Sequence, residues 1–324
     1  MNRKRILICG ATGFIGRNMA EHFSQQEEYY VMGTYFKSQP YDCPNLDWVE
    51  ADLTDAETVA EITKNVDILI QAAATTSGSK DIVNEPYIHV TDNAVMNSLI
   101  FRSAFANSVS NLVFFSCTVM YQSGEKPLRE IDFDANQKLI PNYFGVGWTK
   151  VYLEKMSEFY SRLGQTKYTV FRHSNIFGPY DKYDLEHSHV FGATVAKIMA
   201  TENGHIIVWG IGEEERDLLY VSDLVHAVDL ALKKQKHDFR LYNIGSGSSI
   251  SIKNLVAKII NASGRKLSIK YDTTKPTIKT KLCLDCGLAL KELGWQPKIS
   301  LEEGILKTLE WYKTNITASG VSKF

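Results

Sequence analysis

The chain of 324 residues exceeds one average domain, and 44% hydrophobic and 23% charged residues with a formal net charge of -1 give the balance of a globular enzyme. It has no basic excess for DNA or RNA, and no apolar stretch approaches the ~20 residues of a membrane span. The first apolar run, Ile6 to Cys9, is too short for a signal-peptide core, so a cytoplasmic protein is expected. Five cysteines without regular spacing read as reduced thiols, and the single Cys283-Leu-Asp-Cys286 pair lacks the second pair that a metal site requires.

In chain order, Arg5 to Cys9 reads as a buried parallel strand, followed by three glycines and then by Asn18 to Phe23 with helical spacing. Apolar strands recur at Tyr30–Thr34, Val66–Ile70, Leu112–Phe115 and Tyr168–Phe171, separated by helix-like segments such as Asp92 to Asn107 and Thr149 to Leu163. This alternation predicts an α/β fold, a Rossmann-like doubly wound parallel sheet with a smaller C-terminal substrate-binding lobe. After residue 172 the pattern breaks into loops rich in Gly, Pro, His and Asp, with short elements expected there. The expected division is a dinucleotide-binding domain over 1–172 with a return around 215–245, where Leu241 to Ile244 looks like a strand. Segments 173–214 and 246–316 then form the lobe, and 317–324 a flexible tail.

Gly10-Ala-Thr12-Gly13-Phe14-Ile15-Gly16 stands where the first strand ends and the first helix starts. Glycines suit that place because the turn is tight and the backbone must approach a pyrophosphate seated on the helix N-terminus. At the end of the second strand, where an NAD site usually carries Asp or Glu, this chain has Thr34-Tyr-Phe-Lys37. A lysine without a carboxylate accommodates a 2′-phosphate, so NADP is expected ahead of NAD.

The spacing Gly-x-x-Gly-x-x-Gly resembles the short-chain dehydrogenase/reductase superfamily. By that resemblance Asp52 and Leu53 contact the adenine, Ala72-Ala73-Ala74 forms the loop beneath the cofactor, and Asn93 joins the cofactor contacts. The extended branch of the superfamily places a Ser or Thr after its fourth strand and a Tyr-x-x-x-Lys on the next long helix. The lysine holds the nicotinamide ribose and lowers the pKa of the tyrosine, whose phenol exchanges a proton with the sugar hydroxyl. Here Lys150 matches the lysine, and Val146, which cannot transfer a proton, stands at the tyrosine position. Tyr143 precedes Lys150 by seven residues, a similar face only if the helix extends back past Pro141 and two glycines, which argue against it. Counting back from Tyr121 puts Cys117 at the Ser/Thr position, and a shift of one residue would restore a hydroxyl from Ser116 or Thr118.

The second half is similar to the GDP-L-fucose synthase family, reductases and epimerases of GDP-4-keto-6-deoxy sugars. The matching stretches are Arg172-His-Ser-Asn175-Ile-Phe-Gly178-Pro-Tyr-Asp181, Ser188-His189-Val190, Val208-Trp-Gly210-Ile-Gly212, Arg216-Asp-Leu-Leu-Tyr-Val-Ser-Asp223 and Leu293 to Glu302. The resemblance implies a nucleotide-sugar substrate, with Asn175 and Arg216 on its diphosphate and Lys275 helping to hold it. It makes His189 an acid for epimerisation, while the partner cysteine is replaced by Val119. The expected activity is hydride transfer at C4 of the sugar, with water, Thr118, Cys117 or Tyr143 in place of the missing tyrosine. The alternatives are a sugar epimerase, or a protein that binds both ligands without catalysis. The apolar surface of Thr149 to Leu163 exceeds what one buried face needs, and with the resemblance it implies a homodimer.

Overall fold

A computed structural model describes residues 3–76, 79–185, 188–275 and 277–317. The first half runs β1 (Lys4–Cys9), α1 (Phe14–Phe23), β2 (Tyr29–Tyr35), β3 (Leu46–Glu50), α2 (Ala56–Ile62), β4 (Ile68–Gln71), α3 (Ser79–Asn84), α4 (Thr91–Ala106), β5 (Asn111–Ser116) and α5 (Phe144–Ser161). It continues through β6 (Lys167–His173), β7 (Asn175–Phe177), α6 (Val190–Ala200), β8 (Gly204–Trp209), β9 (Glu215–Tyr220), α7 (Val221–Lys234) and β10 (Phe239–Ile244). Last come β11 (Ser249–Ser251), α8 (Ile252–Ser263), β12 (Leu267–Asp272), α9 (Gly287–Leu293) and α10 (Leu301–Tyr312).

Seven strands form a parallel sheet in the order β10-β6-β5-β4-β1-β2-β3. Its central strands are mostly apolar because both faces are covered. Met19 and Phe23 of α1, Leu224 and Val228 of α7 and the indole of Trp295 pack on one face. Val59 of α2, Ile100 and Phe101 of α4 and Leu153 of α5 pack on the other. A separate core joins α6, α8 and α10 to β7, β8 and β9 through Phe177, Phe191, Leu255 and Leu309.

Two sequence expectations differ from the structure. Regular helices persist after residue 172, where short elements were expected: α6, α7 and α8 have 11, 14 and 12 residues. The Gly- and Pro-rich loops between them obscured their periodicity. β3 went unread because Leu46-Asp-Trp-Val-Glu, an edge strand, carries two carboxylates in five residues. Of the expected tail, all beyond Thr317 lies outside the described residues.

Candidate active site

The cofactor end is built from backbone. Gly10 has φ +74°, and a Cβ there would sit 2.7 Å from the Cα of Ala73, in the loop after β4. A Cβ on Gly16 would lie 2.1 Å from the Gly10 carbonyl oxygen. Side chains are thus excluded at both, and no side chain caps α1 at Gly13, leaving its first N–H groups to an anion. Thr34 is buried and locks this turn, its Oγ1 accepting from Gly10 N at 2.9 Å and its carbonyl from Ala11 N at 3.0 Å. Thr12, Phe14 and Ile15 are half-buried in the turn, and Lys37 stands exposed beyond the end of β2.

Asp52 accepts from the amide and hydroxyl of Thr54 at 2.9 and 2.6 Å, which holds its carboxyl below the ordinary range, and Leu53 is buried. Ala72 donates its amide to Cys9 O at 3.1 Å, and Ala74 is exposed in that loop. Asn93 is buried and holds the loop from behind, donating to Thr75 O and accepting from Thr75 N at 2.9 and 3.1 Å. It positions the cradle rather than lining it. These residues fit a dinucleotide: an uncapped helix N-terminus, a turn closed to side chains, and a sheet edge open beyond it.

The reaction end is built from side chains. Contrary to the expectation drawn from Pro141 and the glycines, a 3₁₀ turn over Pro141–Tyr143 leads directly into α5, which contains Gly145 and Gly147. Proline is tolerated at the first position of such a turn, where its missing N–H is not needed. Gly147 lets α5 approach closely, since a Cβ there would meet Leu139 Cδ1 at 2.8 Å. Val146 lies one turn before Lys150 on α5, and Tyr143 just ahead of the helix puts its side chain into the adjoining cleft.

Lys150 Nζ donates to Phe115 O at 2.9 Å and sits 4.9 Å from the centre of the Phe114 ring. Burial lowers its pKa, with Cys117 and then Glu154 opposing the shift. Burial raises the Cys117 thiol, and Lys150 pulls it back. Ser116 is unavailable, because its hydroxyl donates to Glu154 Oε1 at 2.6 Å in a buried network. Glu154 also forms a buried ion pair with Arg172 at 2.6 Å, and Arg172 Nη1 donates to the Tyr121 hydroxyl at 2.9 Å. Thr118 is buried behind the turn.

A cleft of about 190 Å³ opens beside Tyr143, lined among others by Asn175, His189, Lys197, Trp209 and Arg216. Burial raises the Tyr143 phenol, Arg216 lowers it and Cys117 raises it, so both groups act on this ring. Arg216 donates to the carbonyls of Glu215, Ile278 and Thr280 at 2.9 to 3.2 Å, and to the Thr280 hydroxyl. It makes no ion pair among the described residues. Asn175 Nδ2 donates to Asp217 O at 3.2 Å. His189 is the exposed N-cap of α6, lowered in pKa by the crowding pocket wall foremost, then by Lys182 and His89. Lys275 is exposed, 6.0 Å from the centre of the Trp209 ring, and Lys197 approaches the same ring at 5.8 Å. Val119 is half-buried beside the reaction centre.

Residues 6–245 match the model of the NAD dependent epimerase/dehydratase family. The chain belongs to that family. It is therefore an enzyme of nicotinamide chemistry. GDP-L-colitose synthase of Yersinia pseudotuberculosis is 27% identical over 95% of this chain and 97% of its own length. GDP-L-fucose synthase of Escherichia coli is 25% identical over 97% and 98%. The UDP-glucose 4-epimerase of Thermotoga maritima, solved with UDP-glucose, superimposes with a TM-score of 0.85 at 25% identity, covering 96% of this chain and 99% of that one.

Lys197, Trp209 and His173 had no role in the sequence reading. Lys197 lies eight residues after His189 on α6, about two turns, and that spacing is the signal that would have found it. Trp209 and His173 fall inside stretches that resemble the synthase family, but only the fold shows what each faces.

Proposed function

We propose that this enzyme reduces the C4 carbonyl of a GDP-linked keto sugar, with Tyr143 supplying the proton. The observation that carries this is the place of the Tyr143 phenol, which lines the cleft with Asn175, His189 and Arg216. The phenol is protonated at neutral pH and can donate to a developing alkoxide, and Arg216 opposes the rise that burial imposes on it. Bound nicotinamide supplies the hydride. Tyr143 gives its proton to the C4 oxygen as that carbon becomes a secondary alcohol, and water re-protonates the phenol. Arg216, with Lys197 and Asn175, holds the diphosphate, Lys275 and Trp209 close the nucleotide end, and Lys150 holds the nicotinamide ribose. The relatives that act on GDP sugars support GDP as the nucleotide. Val119 leaves His189 without a second proton-transfer group on the opposite side, which favours reduction without epimerisation.

Lys37, exposed just beyond β2 where the chain reads Thr34-Tyr-Phe-Lys37 without Asp or Glu, favours NADP. Val95 and Phe105 of α4 and Tyr152 and Phe159 of α5 are exposed apolar residues on two packed helices, which supports a homodimer through that face. A monomeric mass at micromolar concentration overturns the dimer.

Incubation with NADPH or NADH and a panel of nucleotide 4-keto sugars in deuterated water tests the reaction. Cofactor oxidation with a reduced sugar lacking deuterium at C3 and C5 is the expected result. Deuterium uptake without oxidation makes the enzyme an epimerase. Binding of both ligands with neither change makes it a silent binder.

A further inference from the structure

β6 ends on His173, and the register that sets Ser116 opposite Arg172, carried one step further, brings Cys117 beside His173 at the carboxyl edge of the sheet. In an open parallel sheet the dinucleotide lies along that edge, with its pyrophosphate on the first helix and its adenosine over the end of the second strand. The strand order β10-β6-β5-β4-β1-β2-β3 therefore puts the nicotinamide on the other side, toward β5 and β6.

One nitrogen of His173 is already committed. Nδ1 lies 2.7 Å from the Ser174 carbonyl oxygen, and because a carbonyl only accepts, Nδ1 carries the hydrogen. In the neutral ring this makes Nε2 a bare acceptor, and Nε2 has no hydrogen-bond partner among the described residues. The ring is held at its edge by Phe115, 6.2 Å between centres, and the carbonyl of that same phenylalanine anchors Lys150. Burial, with Lys150 and His189 adding, pushes the imidazole down to about 4, so it is neutral at working pH. A neutral acceptor suits this place, since a cation there would oppose the positive charge of oxidised nicotinamide.

We propose that His173 Nε2 accepts a hydrogen bond from the carboxamide N–H of the nicotinamide, fixing the rotation of that ring and so the face that exchanges hydride. The proposal rests on the family's cofactor and is independent of the sugar and of Tyr143.

The test measures dinucleotide affinity of the full chain, without substrate, for the natural cofactor and for its acetylpyridine analogue, in which the carboxamide NH₂ is a methyl group. The wild type is expected to bind the natural form about tenfold tighter. His173→Phe is expected to weaken the natural form to the level of the analogue and leave the analogue unchanged. His173→Gln, which restores an acceptor, keeps part of the preference. Equal weakening of both forms by His173→Phe reduces His173 to a packing residue, and a wild type that does not distinguish the two forms overturns the proposal even if the variants fail to fold.

Discussion

The two ends of the crevice are built by different means. At the cofactor end the fit is in the backbone: Gly10 and Gly16 are glycines because a Cβ has nowhere to go, and the side chains of Thr34 and Asn93 grip main-chain groups of the turn and its neighbouring loop. At the reaction end the fit is in side chains, and Val146 stands where the superfamily's pattern places a tyrosine while Tyr143 enters the cleft from the turn before the helix. A function carried by backbone geometry is tied to its position. One carried by a side-chain tip can be supplied from a neighbouring place, provided the tip reaches the same space.

That contrast breaks first at Tyr143. Tyr143→Phe is expected to lower kcat by about a hundred- to ten-thousandfold with little change in cofactor affinity, measured by steady-state kinetics beside dinucleotide titration. At the other end, Gly16→Ala is expected to weaken dinucleotide binding about a hundredfold, because the new Cβ at 2.1 Å from Gly10 O forces the turn open. A variant that binds normally would show the turn to be less rigid than its contacts imply.

His173 sharpens the comparison through pH. Its folded pKa is depressed from 6.5 to about 4, so the unfolded chain binds the extra proton first and the stability contributed by neutral His173 is lost as pH falls through that window. Between pH 7 and pH 5 the wild type is expected to lose about 2 kcal/mol more unfolding free energy than His173→Gln, read from urea midpoints at the two pH values. The smallest effect belongs to Val146→Tyr. An enzyme already served by Tyr143 is expected to change kcat less than about threefold, read by steady-state kinetics. A large gain would mean that the native protein lacks an acid.

How much was legible in the sequence follows the same division. The glycine turn and the alternation around it could be read because sterics and two-sided burial leave a mark on residue type. Lys150 could be read from spacing on one helix. Tyr143 was in view, but its use depended on a 3₁₀ turn that proline and glycine composition argued against. His173 was invisible as a site residue because its neighbours come from β5 and α5, and Ser116 could be set aside only once its hydroxyl was seen on Glu154. Spacing along a chain does not report pairings of that kind.

The buried network behind Cys117 has a consequence for synthesis. Tyr121 donates to Asn243 Oδ1 at 2.8 Å, Asn243 N donates to Glu130 Oε1 at 2.7 Å, and Arg172 binds both Tyr121 and the Glu130 carbonyl. A ribosome has placed Cys117, Tyr143, Lys150, His173, His189 and Arg216 in the growing chain before it reaches Asn243. Until β10 emerges and docks on β6, the wall behind those groups lacks Asn243, and Arg216 waits longer still for the carbonyls of Ile278 and Thr280. The nascent enzyme thus holds these reactive groups well before it holds them still.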